Sequence, residues 1–102
     1  MELKLETTRK LDDRHYETYK IGRYTVSVVD YLDGTAYITT RKENSDYLPE
    51  IYCVDDDEMK VLGFEIQTTS YGALSAEETK KMIAALNEAI EVVEVLTAKF
   101  VK

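Results

Sequence analysis

The chain of 102 residues has no tryptophan, one cysteine, one proline, one histidine and four glycines, and each scarcity closes off a class of function. A lone cysteine, Cys53, cannot form an internal disulfide, so a packed core has to hold the fold. Cys53 and His15 together cannot supply the ligand set of a structural zinc site. Gly22, Gly34, Gly63 and Gly72 are dispersed, so there is no glycine-rich loop to cradle a phosphate. No stretch approaches the roughly 18 uncharged apolar residues of a membrane span. The first residues, Met1-Glu2-Leu3-Lys4-Leu5-Glu6, alternate leucine with charge, unlike a secretory signal. The expectation is a cytoplasmic protein with no cofactor and no membrane association.

What is present is an ordinary globular composition, 44% hydrophobic and 32% charged, with enough length for one domain and one modest core. Twenty acids against 13 bases give a formal charge of −7. That balance opposes affinity for a phosphate backbone, which comes mainly from Lys and Arg, and it allows a basic partner. Eight tyrosines stand out, because Tyr packs its ring while keeping its hydroxyl wet and so suits half-buried sheets and contact surfaces alike.

Ser75-Ala76-Glu77-Glu78 predicts a capping box, with the Ser75 hydroxyl accepting from the Glu78 N–H and the Glu78 carboxylate reaching back. The helix it opens is expected over about 76–100. Met82, Ile83, Leu86, Ile90, Val93 and Phe100 recur at three-and-four spacing and read as its core-facing stripe. Ala85, Val92 and Leu96 fall beside that stripe, and Val95 falls among Glu88, Glu91 and Lys99. A helix of this length overruns a six-residue strand, so Val92, Val95, Leu96 and Lys99 are the candidate interface with a second copy.

Everything before Ser75 reads as short strands. Segments 2–9, 15–21, 23–31, 36–42, 51–54 and 59–69 are β-rich, with turns at Gly22-Arg23 and Asp33-Gly34 and a bend or bulge at Gly63. The fold class that follows is a single α+β domain, residues 1–102. It is a twisted antiparallel meander of about five strands with one long C-terminal helix packed on one face. Two-residue turns put Tyr19, Ile21, Tyr24, Val26, Val28 and Tyr37 on one sheet face, expected to meet the helix. Tyr16, Val29, Tyr31 and Ile38 then lie on the other, as a candidate partner-binding patch.

No catalytic constellation accompanies this frame. Cys53 lies between Tyr52 and Val54 in a strand, where a free cysteine packs as a small hydrophobe, and no catalytic residue is assigned. Asp55-Asp56-Asp57-Glu58 fails the EF-hand pattern, since Met59 and Lys60 occupy its fifth and sixth positions, so a solvated turn and no metal site is expected. The leading expectation is therefore not an enzyme but a small acidic protein-binding or adaptor domain, homodimeric, with a protein partner. The alternative is an acidic nucleic-acid mimic that inhibits a DNA- or RNA-processing enzyme, similar in composition to small acidic inhibitors of phage and mobile-element origin. A third reading is single-stranded nucleic-acid binding on a tyrosine-bearing sheet face. The order of strands then helix resembles that of whirly-type single-strand DNA binders, with no shared motif. Net charge ranks this reading last.

Overall fold

The computed structural model describes residues 1–68 and 71–102. The fold is α+β: β1 (Lys4–Lys10), β2 (His15–Ile21), β3 (Tyr24–Asp30), β4 (Ala36–Lys42), β5 (Glu50–Asp55) and β6 (Val61–Gln67), then α1 (Ala76–Phe100). β1 to β4 form one antiparallel meander in sequence order, and β5 and β6 pair separately as a hairpin. The six strands fall on the six β-rich segments of the sequence and are divided between two sheets. The expected last strand, 59–69, ends at Gln67 in the structure, and its Thr69 lies outside the described residues. A radius of gyration of 15.1 Å exceeds the roughly 13 Å of a compact chain of this size, and the extents are 53 × 28 × 19 Å. β1 accounts for part of the elongation, since every residue in it is exposed.

The capping box forms as the sequence predicts: Glu78 N–H donates to Ser75 Oγ at 3.1 Å and Ser75 N–H donates to Glu78 Oε1 at 3.2 Å. The hydrogen-bond donors around it, the Ser75 backbone N–H first among them, hold the Glu78 carboxyl below the ordinary range. The helix is rotated from the expected stripe. Ala85, Ala89, Val92 and Leu96 are the residues at 0–1% exposure, while Ile83 is 52% and Ile90 45% exposed. Small side chains at Ala85 and Ala89 suit a helix whose backbone comes close to β6, and the bulky isoleucines turn outward. Val92 and Leu96 therefore belong to the core and cannot form the dimer interface read from the sequence. Val95 is half-buried. Lys99 is exposed and sets its ammonium 5.7 Å from the Tyr19 ring and 5.9 Å from the Phe100 ring.

Facing the helix are Tyr19, Ile21, Tyr24, Val26, Val28 and Ile38, joined by Leu48, Ile51 and Val61. Tyr24 is wholly buried, and its hydroxyl donates to the Pro49 carbonyl at 2.6 Å, tying the 43–49 loop to the core. At the β2–β3 turn Gly22 has φ +54°, and Ile21 pairs with Tyr24 across a two-residue connection, as expected. Glu88 from the helix fastens this turn, accepting from the Arg23 backbone N–H at 2.9 Å and from Arg23 Nε at 3.0 Å.

The β3–β4 connection corrects the sequence reading. Asp30 pairs with Ala36, leaving a five-residue loop, 31–35, instead of a two-residue turn at Asp33-Gly34. Asp30 Oδ1 accepts from the Leu32 N–H and Asp33 Oδ1 from the Thr35 N–H, each at about 3 Å, and Leu32 itself takes φ +62°. The register moves by one residue, which exchanges the two faces of β4. Ile38 goes to the core opposite Val28, at 6% exposure, and Tyr37 goes out, at 52%. In the hairpin, the shift between Val54 and Asp55 leaves Leu62, beside Gly63, as the extra residue of a bulge.

Candidate binding face

Strand alternation gives the sheet of β1 to β4 a second face, turned away from the helix. Its side chains line up in three rows across all four strands. The first row is Arg9, Tyr16, Val29 and Tyr37; the second is Thr7, Thr18, Ser27 and Thr39; the third is Lys4, Lys20, Thr25 and Arg41. One row is aromatic and apolar with an arginine at its end, the next is wholly hydroxyl, and the third carries three cations. Strand spacing makes each row about 14 Å long, and successive rows stand roughly 7 Å apart.

Among these twelve residues are four of the 13 bases and none of the 20 acids. Neighbouring bases and acids of the sequence have been sorted by alternation: Glu17 and Asp30 fall on the helix side, Arg9, Lys20 and Arg41 on the open side. Glu6, the unpaired residue of a bulge in β1, is the one carboxylate within the strand at this edge. Lys20 is held at 3.5 Å by Glu43 at the margin, and Glu50 borders the shallow groove formed by Thr25, Ser27, Thr39 and Arg41. Neither 2–9 nor 43–50 covers the face: β1 extends the sheet sideways, and Leu48 of the loop is buried on the helix side.

Of the patch predicted from sequence, Tyr16 and Val29 are adjacent here, paired directly across β2 and β3. Tyr31 is in the loop beyond them, with the Arg14 guanidinium 5.3 Å from its ring. Ile38 is in the core and takes no part. Tyr37, read from sequence as a core residue, replaces it on this face. The hydroxyl row was missed because it becomes a row only once the β3–β4 register is known; the signal was the run of Ser and Thr at matching positions in four strands.

Other candidate sites offer less. A cavity of about 340 Å³ opens between the helix end and the sheet, lined by Glu17, Asp30, Lys60, Lys99 and Lys102 beside Tyr19. There Tyr19 Oη donates to Glu17 Oε2 at 2.6 Å, and burial, with the neighbouring Glu17 carboxylate, pushes its hydroxyl well above the usual tyrosine range. Tyr19 therefore stays a proton donor at neutral pH. Burial likewise pushes the Cys53 thiol up to about 11, which keeps it protonated and a poor nucleophile. Asp56 caps the 55–60 turn, its Oδ1 accepting from the Glu58 and Lys60 N–H groups at 2.9 Å. Among the described residues no group of three or more His, Cys, Asp or Glu is arranged to hold a metal ion, and no helix is long and apolar enough to cross a membrane. Acids fall in the loops and in every strand and helix except β4. No protein-family model, curated protein or solved structure matches the chain.

Proposed function

We propose that this is a non-enzymatic binding domain, working in the cytoplasm, whose open sheet face takes a short run of single-stranded nucleic acid laid across the strands. The carrying observation is the three-row face: cations for phosphates, a hydroxyl row beneath the sugars, and Tyr16 and Tyr37 as platforms for unstacked bases. Size separates this reading from a protein interface. A face of about 14 Å by 14 Å suits two or three nucleotides, and it is far below the roughly 800 Å² that a standard protein partner covers. Net charge of −7 slows encounter without dictating the local field, because the three rows carry four bases and no acid, with Glu43 and Glu50 at their margin.

The test is fluorescence anisotropy with a labelled ten-residue oligothymidylate. Binding is expected in the micromolar range at low salt, with a log–log salt slope near −2 from about three neutralised phosphates. Tyr37→Ala and Arg41→Glu should each weaken it about tenfold or more. No signal at 100 µM protein in low salt, or binding indifferent to both substitutions, refutes the reading.

A second reading, the protein-binding adaptor, is favoured by β1: all seven of its residues are exposed, and among the described residues no strand lies beside its outer edge. An extended segment of a partner could add there through main-chain hydrogen bonds. Capture of a β-strand peptide that is abolished by Thr8→Pro, with oligonucleotide binding absent, would favour it over the first.

A further inference from the structure

The rotation of the helix turns Ile83 and Ile90 outward, while Leu86, beside Tyr47 and Tyr71, and Val93, at the margin of the core, stay half-buried. At about 100° per residue, the side chains packed on the sheet, Ala85, Ala89, Val92 and Leu96, centre on one direction. Ile83, Leu86, Ile90 and Val93 centre about 110° further round. Of these, Ile83 and Ile90 are the most exposed apolar residues of the helix, at 52% and 45%. The spacing 79, 83, 86, 90, 93, 97 alternates four and three residues without interruption, the repeat of a seam between two helices. We infer that this seam is the interface of a homodimer in which the helices of two copies lie side by side and antiparallel.

Charge selects the second copy and its direction. In an antiparallel pair centred near Glu88, Ile83 of one copy meets Val93 of the other, Leu86 meets Ile90, and Thr79 meets Thr97. On the wet flank Lys80 of each copy then faces Glu94 of the other, and the two Asn87 amides meet at the axis. Lys80, Asn87 and Glu94 are all exposed, and among the described residues no ion pair uses Lys80 or Glu94. The parallel arrangement sets Asn87 against Met82 and Glu94 against Ala89, with no charge pair and with helix dipoles aligned.

The area sets the strength. A helix of 25 residues is about 37 Å long, and a strip one helix wide covers on the order of 400 Å² per copy. That is about half of a standard interface, so the dimer is expected to form in the micromolar range. This inference is independent of the open sheet face, which lies on the far side of the sheet.

Sedimentation from 1 to 300 µM should show a monomer passing to a dimer. Ile90→Glu, at an exposed position, should give a folded monomer throughout, with an unchanged circular-dichroism spectrum. Lys80→Glu and Glu94→Lys should each weaken association at least fivefold, and the double exchange in one chain should restore it. Fourteen residues separate the two positions, so restoration can arise only between copies. A monomer at 300 µM, or a dimer insensitive to Ile90→Glu, overturns the proposal. Failure of the double exchange to restore association overturns the antiparallel arrangement.

Discussion

Adjacent residues Tyr37 and Ile38 should respond in opposite ways to truncation, and the contrast tests the register on which the binding face depends. Ile38 is 6% exposed and packs opposite Val28. Removing its three outer carbons in a closed core costs about 3 kcal/mol, from lost transfer energy plus the cavity left behind. At about 2.1 cal/mol/K per residue, the unfolding entropy of a chain this size is near 0.21 kcal/mol/K, so Ile38→Ala should lower the melting temperature by about 14 °C. Tyr37 is 52% exposed and lies on the uncovered face. Tyr37→Ala gives up partial contact with Val29 and some strand propensity, about 0.5 kcal/mol, or 2–3 °C. Thermal and urea denaturation followed by circular dichroism measure both. If Tyr37→Ala proved the more damaging, β4 would be paired one residue away, its faces would exchange, and the three rows would not exist.

Two further outcomes follow from the turn and the cap. Gly22→Ala should cost more than about 1 kcal/mol, because φ is +54° and a Cβ there would sit 2.9 Å from Glu88 Oε2; in a Glu88→Ala background the contact part of that cost should vanish and the backbone part remain, read by a double-mutant cycle. The Glu78 carboxyl is lowered by its bonds at the cap, so its contribution is complete above the ordinary glutamate value and is lost as pH falls through the lower folded value. Amide exchange at Ser75 and Glu78 should therefore quicken relative to the helix centre below about pH 4, and uniform protection down to pH 2 would contradict the cap's role.

How far the sequence could be read depended on whether each feature was local. Helix α1 was legible to the residue, because Ser75 and Glu78 mark its start within four positions. The β2–β3 turn was legible too, since Gly22 sits where a positive φ is needed. Asp33-Gly34 misled, because the dipeptide favours a tight turn while Asp30 and Asp33 instead cap a longer loop in which a leucine takes the positive φ. Such a conformation at Leu32 has no sequence signature. Helix rotation was hidden for a different reason: patterning by hydrophobicity selects the largest side chains, whereas the close-packed core side of the helix selects Ala85 and Ala89. The binding face was obscured by interleaved charges, which only the alternation of paired strands separates.

The helix that covers the sheet is the last of these elements to be synthesised. Strands β1 to β4 pair only with their sequence neighbours, so their hairpins can close as they emerge. Their apolar side, Tyr19, Ile21, Tyr24, Val26, Val28 and Ile38, gains Leu48, Ile51 and Val61 with the next loop and hairpin, but lacks Ala85, Ala89, Val92 and Leu96 until the helix arrives. At 5–20 residues per second, the stretch from the end of β6 to the end of α1 takes roughly 2–7 s to translate. For that interval a nascent chain presents paired strands whose hydrophobic side is only partly covered, long enough for two chains on one message to meet through it. Slow translation over β6 and the residues after it should therefore lower the soluble yield of this protein more than slow translation over β1 and β2.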